Sequence, residues 1–118
     1  MTAVLYLFCS ILLPLILTLA VEIPVGCLLI KEKYRIPVLV CVNVLTNVPL
    51  NLALAFADGT AYTVLYVDGE AAVIAVETLL FRALLSLRFS RALKVSAILN
   101  LLSFCAGVLF YVIFYQII

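Results

Sequence analysis

The sequence predicts an all-α membrane protein, in which an antiparallel bundle of four transmembrane helices forms a single domain over residues 1–118. Hydrophobic residues make up 69% of the chain and charged residues only 11%, whereas soluble domains are roughly a quarter charged. The charged residues also fall into clusters that separate four apolar stretches. Each stretch reaches the roughly 20 residues that a helix needs to span a bilayer.

The composition excludes several classes of protein. Seven basic and six acidic side chains are too few to cover the surface of a soluble domain of this size. A net charge of +1 offers no basic surface for nucleic acid. The chain has no histidine and its four cysteines show no C-x-x-C spacing, so we predict no catalytic residue, no metal and no cofactor.

The first two predicted helices cover about residues 2–30 and 36–57. The first contains one charged residue, Glu22, and ends at the basic cluster Lys31–Arg35. The second has no charge and ends at Asp58-Gly59, a pair that favours a turn because glycine readily adopts a positive φ. Helices are favoured over strands because the apolar residues run continuously and do not alternate.

The third and fourth predicted helices cover about residues 61–87 and 93–118. A second basic cluster, Arg88–Lys94, separates them, and the fourth is uncharged from Val95 onwards. The connections are short, which favours antiparallel neighbours. The third helix is the most polar of the four, and its charged residues are Asp68, Glu70, Glu77 and Arg82.

The basic residues also predict the orientation of the chain. Six of the seven lie in the first and third connections, which the positive-inside rule places in the cytoplasm. We therefore expect a multi-pass protein of the cytoplasmic (inner) membrane with both termini outside. The alternative, a first helix that is a signal peptide cleaved after Thr18-Leu19-Ala20, is disfavoured because no Lys or Arg precedes the apolar run, which continues past that site.

Polar residues recur at one depth in all four predicted helices. Counted from the basic clusters at about 1.5 Å per residue, they lie roughly 9–18 Å into the cytoplasmic half of the membrane. Their spacings of three, four or seven residues place them on one face of each helix. The predicted intramembrane site consists of Glu22, Asn43, Asn47, Glu77, Asn100 and Ser103, with Thr18, Asn51, Glu70 and Arg82 as possible accessory residues.

Glu22 and Glu77 point most directly to function, because a carboxylate in hydrocarbon is costly unless it is protonated or paired. Two carboxylates at a similar depth repel each other, and proton exchange at such sites couples many transporters to a gradient. Pro24 and Pro49 would free main-chain carbonyls nearby, which favours an oxygen-lined site for a proton or a hard cation. The alternative is that the Asn and Ser residues only hold the helices together by hydrogen bonds.

Four short motifs follow one another along the chain: Glu22, then Asn43-x-x-Thr46-Asn47, then Glu70 with Val76-Glu77, then Asn100-x-x-Ser103-x-x-x-Gly107. Their order resembles that of a group of small bacterial four-helix integral membrane proteins of uncharacterised function. The resemblance covers most of the chain. It implies a shared intramembrane site, and it implies no activity.

These observations predict a transporter-like membrane protein that is not an enzyme and that moves or binds a proton, a cation or a small polar solute. Four helices leave little room for a cavity, so we expect a homo-oligomer, most simply a dimer, in the lipid bilayer. The alternative is a non-catalytic membrane subunit or scaffold that stabilises a larger membrane complex.

Overall fold

The computed structural model describes residues 2–117 and has four α-helices over that range: α1 (Thr2–Leu29), α2 (Arg35–Ala55), α3 (Gly59–Leu85) and α4 (Phe89–Ile117). The all-α prediction is confirmed. The start of α4 differs most from the expected bounds, since the helix begins at Phe89 and not near residue 93. It begins early because Ser86 ends α3 in the left-handed conformation, with a φ of 56°, and so turns the chain sharply.

Each helix packs against two neighbours, so that the four helices form a ring. Both α1 and α3 pack against α2 and α4, whereas within residues 2–117 no Cα atoms of diagonally opposite helices lie within 8 Å of each other. Consecutive helices run antiparallel because the connections 30–34, 56–58 and 86–88 are short. The connections 30–34 and 86–88 therefore lie at one end of the ring, which we call the basic end. The connection 56–58 lies at the other end, which we call the open end.

At the basic end, an ion pair joins Glu32 of the connection 30–34 to Arg91 in the first turn of α4. The Arg91 Nη1 atom lies 2.9 Å from Glu32 Oε1, and Arg91 Nη2 donates a hydrogen bond of 3.1 Å to the Leu29 carbonyl at the end of α1. Partial burial opposes ionisation of Glu32. Hydrogen bonds from the main-chain amides of Glu32 and Lys31, together with the Arg91 guanidinium, outweigh this effect and hold the pKa of Glu32 below its usual value.

A buried apolar cluster, which we call the apolar plug, closes the ring near the basic end. Its side chains are almost fully buried, and α1 and α2 approach closely beside it. A Cβ atom on Gly26 of α1 would lie only 2.6 Å from Leu39 Cδ1 of α2. The buried residues of the plug are Ile30, Leu39, Val42, Phe81, Leu85, Leu87, Ala92, Val95 and Leu99.

The outer surface of the ring is strongly apolar. Large exposed hydrophobic side chains occur on all four helices, including Leu28, Leu45, Leu79 and Leu101. Exposed apolar surface of this extent is typical of a membrane or protein contact. Helices α1, α2 and α4 are long and apolar enough to cross a membrane. The more polar α3 is not among them, so three of the four predicted spans have the length and apolar composition that a membrane crossing needs.

Candidate functional site

A cluster of buried polar side chains occupies the middle of the ring, between the apolar plug and the open end. All four helices contribute to it, as the sequence predicted. The cluster contains every residue of the predicted central site except Ser103, which is half-buried. Its members are Glu22 from α1, Asn43, Thr46 and Asn47 from α2, Glu77 and Thr78 from α3, and Ser96 and Asn100 from α4.

Glu77 lies at the centre of this cluster and is fully buried. Its Oε1 atom lies 3.1 Å from the Thr46 hydroxyl of α2. Its Oε2 atom accepts a hydrogen bond of 2.6 Å from the Asn100 amide of α4 and lies 3.2 Å from the Ser96 hydroxyl of the same helix. One carboxyl group therefore joins three helices of the ring.

The two hydroxyl groups beside Glu77 each have a second acceptor within reach. Thr46 Oγ1 also lies 2.8 Å from the Val42 carbonyl, and Ser96 Oγ lies 3.2 Å from the Ile74 carbonyl. A hydroxyl has one hydrogen to donate but can also accept. Each hydroxyl can thus donate to a charged Glu77, or it can donate to the main chain and accept a hydrogen bond from a neutral Glu77. The surroundings of Glu77 satisfy both protonation states without any change of side-chain position.

A row of asparagines on α2 runs from the cluster toward the open end. Asn47 Nδ2 donates to Asn43 Oδ1 at 2.9 Å, and Asn51 Nδ2 donates to the Asn47 carbonyl at 2.9 Å. The residues at 43, 47 and 51 share one face of the helix, as their spacing of four predicted. Since Thr46 lies next to Asn47, this row connects the half-buried Asn51 with the surroundings of Glu77.

Glu22 is the second buried carboxyl group, and its surroundings differ from those of Glu77. It is fully buried, and neither of its oxygens has a hydrogen-bond partner within residues 2–117. Asn43 lies beside it and donates one amide hydrogen to the Leu39 carbonyl at 2.8 Å, but it makes no hydrogen bond of good geometry to Glu22. A carboxylate without partners in such an interior is costly.

A cavity of about 870 Å³ leads from the open end down to the polar cluster, and all four helices line it. Its floor is polar, and its walls consist mainly of aromatic and aliphatic side chains. Glu22 lies one helical turn below the floor residue Thr18, and Glu77 about two turns below Glu70. The expectation that four helices leave little room for a cavity is therefore wrong. The polar floor consists of Thr18, Asn47, Asn51, Glu70 and Ser103.

The structure divides the predicted accessory residues into two groups. Thr18, Asn51 and Glu70 lie on the floor of the cavity. Arg82 is exposed on the last turns of α3 near the basic end, where it is outside the polar cluster. Ser103 also lies on the floor, but its hydroxyl donates to the Asn100 carbonyl of its own helix at 3.1 Å.

Three members of the cluster, Thr46, Thr78 and Ser96, are absent from the predicted site. Thr78 follows Glu77 directly, and its hydroxyl donates to the Ile74 carbonyl of its own helix at 2.7 Å. Thr46 and Ser96 each lie within one turn of an amide residue on the same helix face, Thr46 three residues after Asn43 and Ser96 four residues before Asn100. This spacing could have identified them. Within residues 2–117, no group of three or more His, Cys, Asp or Glu side chains is arranged to hold a metal ion.

Comparison of the chain with protein families, with characterised proteins and with solved structures finds no match. The function must therefore be argued from the geometry of the site alone.

Proposed function

We propose that the protein is a transporter-like membrane protein of four antiparallel transmembrane helices, and that it binds and moves a proton at Glu22 and Glu77. The observation that carries the proposal is the pair of fully buried carboxyl groups in the middle of a ring whose outer surface is apolar. Polar groups at membrane depth are expensive, and they commonly mark proton relays and ion pathways.

The hydrogen bonds around Glu77 favour a proton over a metal ion as its ligand. Thr46 and Ser96 each reach both Glu77 and a main-chain carbonyl, so rotation of one hydroxyl hydrogen, on the side that accepts from the protonated oxygen, accommodates gain or loss of a proton. Glu22 has no such donors within residues 2–117, and its low-cost form in an apolar interior is the neutral acid. A proton on Glu22 removes the cost of an unpaired buried charge, and the hydroxyl groups beside Glu77 accommodate an exchangeable proton there.

The difference between the two ends of the ring supports a mechanism in which the proton site opens alternately to each side of the membrane. The cavity gives access from the open end to the floor above both carboxyl groups. The apolar plug closes the other side, so passage of a proton requires a second state in which the plug opens. We place the basic end in the cytoplasm and the open end outside the inner membrane, because basic residues favour the cytoplasmic side.

Proton flux in liposomes tests this proposal. The full chain is reconstituted with a pH-sensitive dye inside the vesicles, and a potassium diffusion potential drives the flux. Glu22→Gln and Glu77→Gln should each reduce the flux to the level of protein-free vesicles. Asp68→Asn is the matched control, since Asp68 is an exposed acid on the same helix as Glu77, and it should leave the flux intact.

Infrared spectroscopy provides a second readout that requires no transport. A pH-induced difference spectrum of the wild-type protein should contain a carboxyl C=O band that disappears in Glu77→Gln and persists in Asp68→Asn. Unchanged flux together with an unchanged band in both glutamine variants would refute the proposal. Under that outcome, a stoichiometric partner in mild-detergent purification would favour the alternative of a non-catalytic membrane subunit.

A further inference from the structure

We propose that the cavity at the open end binds an organic cation, a substituted ammonium ion, with Glu70 as its counter-charge and the surrounding aromatic rings as its walls. This binding site goes beyond the proton site, because neither Glu22 nor Glu77 lines the cavity. The two sites share only Asn47, which lines the floor of the cavity and belongs to the polar cluster, where it donates a hydrogen bond to Asn43.

Glu70 is a carboxyl group that no Lys or Arg side chain within residues 2–117 pairs with. It is half-buried on the floor of the cavity, and no salt bridge within residues 2–117 involves it. The basic residues lie in or next to the connections 30–34 and 86–88, at the far end of the ring. A cation that enters the cavity is therefore the available partner for this carboxyl group.

Aromatic side chains surround the approach to Glu70. Tyr66 lies one helical turn from Glu70 on the same face of α3, and its ring lies 6.2 Å from the Tyr62 ring and 5.9 Å from the Phe104 ring of α4. Aromatic faces attract cations, most strongly where water is excluded. The rings that line the cavity are those of Tyr6, Tyr62, Tyr66, Phe104, Phe110, Tyr111 and Phe114.

The size and lining of the cavity favour an organic cation over a metal ion. The volume of about 870 Å³ falls in the range of roughly 300–1,000 Å³ that is usual for pockets of small organic ligands. A metal ion needs several oxygen ligands at short range, whereas a substituted ammonium ion gains from one carboxylate and from apolar and aromatic walls. The cavity of this protein offers the second set of groups.

Calorimetric titration of the full chain in detergent with benzyltrimethylammonium tests the inference. Its neutral isostere, neopentylbenzene, serves as the competitor. The wild type should bind the cation, and the isostere should compete at least about tenfold more weakly than the cation itself. If the isostere binds as tightly as the cation, the cavity is only an apolar space and the inference is overturned.

Two pairs of variants identify the groups that bind the cation. Glu70→Gln should weaken binding at least about tenfold, whereas Asp68→Asn, which removes an exposed charge two residues away, should leave it unchanged. Tyr66→Leu should weaken binding and Tyr66→Phe should not, because phenylalanine keeps the aromatic face. Unchanged binding by Glu70→Gln, or an equal loss in Asp68→Asn, overturns the inference. The tyrosine pair decides the question if Glu70→Gln fails to fold.

This test is independent of the proton site, because it measures binding without proton movement. Loss of proton flux in Glu77→Gln with no cation binding by the wild type would leave the proton proposal in place and refute the cation site. The opposite outcome is cation binding that depends on Glu70, together with a proton flux that Glu22→Gln and Glu77→Gln leave unchanged. It would support the cation site and refute the proton proposal.

Discussion

Replacing Thr46 with valine tests whether the hydrogen bond between its hydroxyl and Glu77 stabilises the protein. Valine has nearly the shape of threonine, so the substitution removes one hydroxyl group and preserves the packing of α2. Within residues 2–117, Thr46 Oγ1 is the only hydrogen-bond partner of Glu77 Oε1. The variant therefore leaves a fully buried carboxyl oxygen without a partner.

The expected loss of stability in each variant follows from the hydrogen bonds of the two Glu77 carboxyl oxygens. A buried polar atom left unpaired costs about 1–3 kcal/mol, and hydrogen bonds between membrane helices contribute up to about 1.7 kcal/mol. We expect Thr46→Val to lower the free energy of unfolding by about 1–2 kcal/mol. Ser96→Ala should cost less than about 0.6 kcal/mol, because Glu77 Oε2 keeps its hydrogen bond of 2.6 Å from Asn100.

Equilibrium unfolding in mixed micelles, followed by circular dichroism, measures these differences. A double-mutant cycle with Glu77→Leu isolates the pair, because Thr46 then donates only to the Val42 carbonyl at 2.8 Å. In that background Thr46→Val should change stability by less than about 0.5 kcal/mol. An equal effect of Thr46→Val in both backgrounds, or equal effects of Thr46→Val and Ser96→Ala, would refute the role assigned to this hydroxyl.

Two further predictions concern the packing of the helices and the basic end. Gly26→Val should lower the free energy of unfolding by about 1–3 kcal/mol, because even a Cβ atom there would lie 2.6 Å from Leu39 Cδ1. Gly107→Ala has open space around it and should cost less than about 0.5 kcal/mol in the same unfolding assay; equal losses would contradict the prediction. Arg91→Ala should cost at most about 1 kcal/mol at neutral pH, because its ion pair with Glu32 is partly exposed. The pKa of Glu32 in the folded protein lies below the ordinary value of 4.5, so this contribution is present above about pH 4.5 and is lost as the pH falls through the lowered pKa. The difference in unfolding free energy between wild type and Arg91→Ala should therefore become smaller in acid, where the hydrogen bond of Arg91 to the Leu29 carbonyl remains, and a constant difference would contradict the assignment.

Much of the candidate site could be predicted from the sequence because the helical period of 3.6 residues sets which residues share a face. Asn43, Asn47 and Asn51 lie on one face of α2 as expected. Glu77 and Asn100 were expected at a similar depth, and they are in contact. The depth estimate succeeded because helix rise is constant along the chain.

The partners of each carboxyl group could not be predicted in the same way. Glu22 and Glu77 have equivalent positions in the sequence pattern, yet Glu77 has three polar partners and Glu22 has none within residues 2–117. Which side chains meet depends on the rotation of each helix and on which helices are neighbours in the ring. The exposed position of Arg82 likewise follows from the rotation of α3.

The sequence by itself determined the number and approximate bounds of the helices and the clustering of charge at alternate connections. Hydropathy, charge and turn preferences are local properties that each segment carries independently of the others. Only the tertiary structure decided that the ring is closed by an apolar plug at the basic end and hollow at the open end. That asymmetry arises because small and large side chains from four helices must fill one shared interior. As a result, the cavity leads from the open end toward the two buried carboxyl groups, and the apolar plug separates them from the basic end.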